Sequence, residues 1–147
     1  MLPRWHVLSG ALFIALLWIL IPHISLIHLV LVFFASFLID FDHYAVAVFK
    51  TKKFGVKNAL EHYKKIDARR KKEIARGIRK KDDITFFHTV EFHALIGLLS
   101  FLWIGFFYVF IGMFFHSLLD VFSMLFSGAF HTREFFLFNW ARRRKFR

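Results

Sequence analysis

Seven residues of this chain combine metal-binding or proton-moving side chains with apolar surroundings. Asp40, Asp42 and His43 fall within four positions, at the end of Trp5–Ile39, a 35-residue run with no Asp, Glu, Lys or Arg. His88 and Glu91 stand three apart at the start of a second apolar block, and His116 and Asp120 stand four apart inside it. Imidazole nitrogen and carboxylate oxygen suit zinc, manganese, iron or magnesium. The chain has no cysteine, so disulfides and thiolate metal sites are excluded.

An ionised Asp well inside a membrane helix costs about 2.5–3.5 kcal/mol and persists when it has a partner. For Asp120 the nearest candidate is His116, one helical turn away. Such a pair presents two ligands from one helix face. It can equally be a hydrogen-bonded pair that glues helices together. The candidate metal ligands are Asp40, Asp42, His43, His88, His116 and Asp120, with Glu91 as a further ligand or a general base. One tetrahedral zinc needs three protein ligands plus water. Six or seven groups could therefore hold two ions with a bridging carboxylate, an arrangement suited to phosphoester hydrolysis. If Asp40–His43 is helical throughout, Asp40 and His43 share a face and Asp42 points elsewhere. A helix break near Asp40 would let all three converge. His28 and His93 read as packing or hydrogen-bonding residues.

The elements that must position these groups are written in the hydropathy. Apolar residues make up 58% of the 147 and Phe alone occurs 23 times, more than a soluble domain of this size can bury. As one helix, Trp5–Ile39 would be about 52 Å long at ~1.5 Å per residue, against a hydrocarbon core of ~30 Å. It should therefore fold back, and Pro22 within Ile21–Ser25 marks the turn. Phe92–Phe130 is 39 residues with Asp120 as its one formal charge, and the same reasoning makes it a hairpin turning near Trp103–Gly105, with a last helix over about Phe107–Phe126. The N-terminal run resembles a signal peptide, but no A-x-A-like cleavage site follows, and a retained membrane segment is expected.

Of 21 Lys and Arg, 14 lie between Lys50 and Lys81, six lie between Arg133 and Arg147, and the last is Arg4. Val56, Leu60, Tyr63, Ile66, Ile74 and Ile78 recur at helical spacing with a gap at Arg70, so a basic amphipathic helix is expected there. Its charge favours anionic lipid over nucleic acid. The aromatic and basic tail reads as an interfacial anchor.

The expected fold is all-α: a polytopic membrane protein with about four membrane helices in two hairpins (5–49 and 84–130), a basic amphipathic cytoplasmic helix in the linker 50–83, and a basic tail 131–147. Placing the basic segments on one side makes both termini cytoplasmic. That topology brings Asp40–His43, His88 with Glu91, and His116 with Asp120 to one depth.

Asp40-Phe41-Asp42-His43, His88-Thr89 and His116-Ser117-Leu118-Leu119-Asp120 resemble the YdjM-like family of inner-membrane metal-dependent hydrolases. Its pattern is Asp-x-Asp-His, a downstream His-Ser/Thr, and His-x-x-x-Asp in a late membrane helix. The resemblance implies a small multi-pass hydrolase, distantly similar to zinc-dependent phospholipase C and P1 nuclease, with those same six residues as ligands. The expected cofactor is a divalent metal, zinc first, with manganese or magnesium as alternatives. The expected partner is membrane lipid. The alternative is a non-catalytic membrane protein whose His/Asp cluster is structural or metal-sensing, and whose basic helix binds anionic lipid or a partner.

Overall fold

A computed structural model describes residues 3–145. Among them the chain is all-helical, with no strand. The α-helices are α1 (Pro3–Leu20), α2 (Leu26–Leu38), α3 (Phe41–Thr51), α4 (Val56–Ala75), α5 (Val90–Leu99), α6 (Ile104–Phe126) and α7 (Leu137–Lys145). Single 3-10 turns at Phe86–His88 and Phe130–Thr132 precede α5 and α7.

The breaks have local causes. Pro22 disfavours helix in the residue before it, and α1 stops at Leu20. The expected turn over Ile21–Ser25 is present. The second turn occupies 100–103, slightly earlier than expected, and α6 starts at Ile104. Lys52 (φ 56°) and Gly55 (φ 107°) reverse the chain between α3 and α4 in the left-handed region. The gap at Arg70 in the apolar pattern of α4 is filled by an ion pair: Arg70 Nη2 lies 2.7 Å from Asp82. The last two residues of the basic tail lie outside the described residues.

α2 packs on both α1 and α6, which also touch each other, α5 packs on α6, and α4 covers α3. Small residues set the crossings. A Cβ added at Gly112 would collide with the Val32 carbonyl oxygen and stand 2.8 Å from Ala35 Cβ. Gly10 meets the Ser36 hydroxyl in the same way. Close backbone approach at small residues is how helices associate when apolar burial cannot drive them. The apolar core is small: Ile39, Ile96 and Met113, flanked by residues such as Ala35, Phe92 and Val109. Much of the remaining apolar surface points outward, up to Phe101 at 87% and Phe126 at 91% exposed.

Two helices are long and apolar enough to cross a membrane: Leu26–Thr51, which joins α2 and α3, and Ile104–Phe126. The apolar part of α1, Arg4–Leu20, and α5, Val90–Leu99, are shorter. At ~1.5 Å per residue they reach roughly 26 and 15 Å. Four full-length spans are therefore not what the helices measure, because the turn after each hairpin arm takes residues from the arm.

Candidate metal centre

The break at Ile39–Asp40 is the first element of the site. Asp40 ends α2 and begins α3: its carbonyl accepts from His43 N (3.0 Å) and Tyr44 N (3.4 Å). Its side chain points to the centre. Oδ1 lies 3.6 Å from His43 Nε2, 3.5 Å from His88 Nε2 and 3.5 Å from His116 Nε2. Three imidazoles from three parts of the chain thus converge on one carboxylate oxygen.

His88 is held by the 3-10 turn and by Thr89. The Thr89 hydroxyl donates to the Phe86 carbonyl (2.9 Å) and accepts from Phe92 N (3.3 Å), capping α5. His88 Nδ1 lies 3.1 Å from Asp42 Oδ2, which also accepts from Phe87 N at 2.9 Å. Asp42 does not join the groups within ligand distance of one another. It grips His88 from behind.

His116 sits one turn past Gly112, where α6 is closest to α2. That closeness brings its Nδ1 to 2.8 Å from the Ser36 carbonyl. A carbonyl oxygen can only accept, so His116 carries its proton on Nδ1. Asp42, as a carboxylate, places the His88 proton on Nδ1 likewise. In their neutral forms both rings turn an unprotonated Nε2 inward, and these two atoms face each other at 3.1 Å. Two lone pairs at that distance repel unless a cation or a proton lies between them. A carbonyl or carboxylate on the outer nitrogen is the usual support of a metal-ligating histidine.

Asp120 Oδ2 completes this side, 3.7 Å from His116 Nε2 and 4.0 Å from His88 Nε2. His6 of α1 stacks on His116 with ring centroids 3.9 Å apart, and its Nε2 lies 3.3 Å from Asp120 Oδ1. Arg133 donates from Nη1 to Asp120 Oδ2 at 2.8 Å. Three overlapping triads have ligand atoms mutually close enough to hold a metal ion: His6, Asp40 and His116; Asp40, His43 and His88; His88, His116 and Asp120. Zinc–ligand bonds of ~2.0–2.1 Å imply a tetrahedral edge of roughly 3.3 Å. The separations His88–His116 (3.1 Å), Asp40–His88 and Asp40–His116 (3.5 Å each) and His116–Asp120 (3.7 Å) lie near that edge, and His88–Asp120 at 4.0 Å is longer. The donor set therefore fits a divalent ion.

α4 roofs the site. The Tyr63 hydroxyl donates to the His43 carbonyl at 3.0 Å. Burial, and then the nearby carboxylates of Asp42 and Asp83, raise this hydroxyl above the usual tyrosine range, so it stays protonated and keeps the bond.

Of the residues expected from sequence, Asp40, His43, His88, His116 and Asp120 form the cluster, and Asp42 supports it. Glu91 does not join it: its carboxylate accepts from Leu137 N (3.0 Å) and Phe138 N (3.4 Å), at the start of α7. His93 is a hydrogen-bonding residue, with Nε2 3.0 Å from the Ser117 hydroxyl. His28 packs on Tyr108 with centroids 4.1 Å apart. Two residues were missed by sequence reasoning. His6 carries the signal used for the others, an imidazole at the basic end of an apolar helix. Arg133 carried none, because its neighbours made it one more tail cation. Comparison with known protein families, curated proteins and solved structures finds no match.

Proposed function

We propose that this chain is a membrane-embedded, metal-dependent hydrolase with zinc at the His/Asp cluster, acting on a phosphoester such as a lipid headgroup. The observation that carries this reading is the facing pair of His88 and His116 Nε2 atoms, each with its outer nitrogen committed to an acceptor. The resemblance of the three motifs to the YdjM-like hydrolases, carried by these same residues, agrees with it. A bound divalent ion would activate water and stabilise charge developing on the phosphoryl group.

The chain's own residues divide the work. Asp40, His88, His116 and Asp120 hold the ion, and Asp42 and the Ser36 carbonyl fix the rings. His43, whose side chain is 33% exposed, is the most open imidazole of the cluster and the one suited to move a proton. Glu91 is engaged by α7, which leaves it a structural part. An apolar cleft of about 480 Å³, lined by residues including Phe41, Asp42, Val46, Phe87 and Trp140, lies on the outer side of Asp42. A cleft of that size and character suits the alkyl part of an amphiphile.

In the membrane α2–α3 and α6 are the two long helices, and α1 and α5 are their short return arms. Arg4, α4 and α7 then face the cytoplasm. The test is elemental analysis of detergent-purified protein, beside hydrolysis of short-chain phospholipid and of p-nitrophenyl phosphate. Stoichiometric zinc and metal-dependent turnover are expected. Metal-free, fully folded protein would sink the reading.

A second reading rests on the Arg133–Asp120 ion pair: the cluster is a charge-balanced polar network that glues helices, with one imidazole protonated. It predicts that Asp120→Asn lowers stability and that no metal is found.

A further inference from the structure

Arg133 stands within the proposed metal centre, yet nothing in the ligand set requires it. Its side chain is 11% exposed, and Nη1 is bonded to Asp120 Oδ2. Nη2 is buried and has no hydrogen-bond partner among the described residues. The planar guanidinium holds these two nitrogens side by side. The unpaired donor therefore lies next to Asp120, whose Oδ2 is 3.7 Å from His116 Nε2 and 4.0 Å from His88 Nε2. A buried donor without an acceptor is costly, and one kept in a folded protein calls for a reason, such as a water, an ion or a catalytic role.

The backbone around Arg133 is tied down. The Arg133 carbonyl accepts from Lys81 Nζ at 2.6 Å, and the Thr132 carbonyl accepts from Asp82 N at 2.7 Å. The 3-10 turn Phe130–Thr132 fixes the approach, and the guanidinium carbon lies 5.9 Å from the Phe135 ring centre. An arginine that merely balanced Asp120 would not need a rigid mount or a free second nitrogen. Three carboxylates, Asp40, Asp42 and Asp120, would repel an anionic substrate. Arg133 offsets the charge of one of them, Asp120.

We propose that Arg133 is the oxyanion-binding residue of this site, with its Nη2 group reserved for a non-bridging oxygen of a phosphoryl group. A guanidinium presents parallel N–H donors that match phosphate geometry, which an ammonium does not. The assignment rests on the phosphoester reading of the same site. It adds the residue that recognises the phosphoryl group and makes the anion, rather than the leaving group, the recognised feature.

The experiment measures equilibrium binding of inorganic phosphate to zinc-supplemented protein in detergent, with zinc content determined on the same samples. Wild type, Arg133→Gln and Arg133→Lys are compared. Expected are phosphate binding by wild type, at least tenfold weaker binding by Arg133→Gln, partial recovery in Arg133→Lys, and equal zinc content in all three. Equal phosphate affinity in wild type and Arg133→Lys or Arg133→Gln overturns the assignment. Loss of zinc from both variants also overturns it, because Arg133 would then be a support of Asp120. Wild type that holds no zinc refutes the metal reading alone. In that event Arg133-dependent phosphate binding by the metal-free protein upholds the assignment, and its absence overturns it. Competition by glycerol 3-phosphate and by phosphatidic acid in mixed micelles separates a soluble ester from a lipid one. Competition by either supports recognition of the phosphoryl group, and competition by neither overturns it.

Discussion

His88 and His116 each turn Nε2 inward because Asp42 and the Ser36 carbonyl hold the other nitrogen. This separates two kinds of residue that sequence could not tell apart. His116→Ala removes a ligand, and elemental analysis should find the metal lost. Asp42→Asn keeps all ligands and loosens one ring. Metal titration should show affinity reduced by roughly 10–100-fold, the usual effect of removing an outer-shell partner, with full occupancy at saturating metal. Equal effects of the two substitutions would contradict the division of roles. Asp40 and Asp42 are two positions apart, yet one faces three imidazoles and the other faces a ring edge and a backbone N–H. Asp40 already has helical backbone at the start of α3, so it shares a face with His43, and Asp42, two positions on, points to another side.

At the scale of elements, the site depends on how closely α6 approaches α2. Gly112 faces the Val32 carbonyl, and His116 follows one turn later. Gly112→Ala should therefore overpack this crossing and destabilise the fold by about 1–3 kcal/mol. The same change should lower metal affinity, read by thermal unfolding with and without zinc. A neutral result in both would show that the helices can separate without harm. Glu91 acts on a different element, accepting hydrogen bonds from the first residues of α7. Glu91→Gln should loosen α7 by about 1 kcal/mol, the scale of a helix cap and its dipole interaction. Faster hydrogen exchange confined to Leu137–Lys145, with metal content unchanged, is the expected outcome. Loss of turnover in a fully loaded Glu91→Gln protein would instead restore it as a general base.

At the scale of the molecule, charge and apolar surface divide the protein. α4 and α7 carry the cations, while α2, α6 and the turn at Phe101 expose apolar side chains. The absence of cysteine allows a clean test of sidedness, because any thiol introduced is the only one present. Single cysteines at Lys57 of α4 and Ala141 of α7 should react from the same side of sealed vesicles. A cysteine at Leu102 in the far turn should be protected from that side. Labelling of Lys57→Cys and Ala141→Cys from opposite faces would refute the shared orientation.

Helical class, the hairpin at Pro22, the basic helix and most of the cluster were legible in the sequence, because hydropathy, charge and proline act locally and leave periodic traces. The count of about four membrane helices did not hold, since only two helices among the described residues are long enough to span, and composition does not mark where a turn divides an apolar run. His6 and Arg133 entered the site only through tertiary packing. The first arrives because α1 crosses α2 at Gly10, and the second because a 3-10 turn folds the tail back over Asp120. The roles of Asp42 and Glu91 were decided the same way. A carboxylate's chemistry depends on which donor it faces, and for these two the partners lie 45 and 46 positions away along the chain.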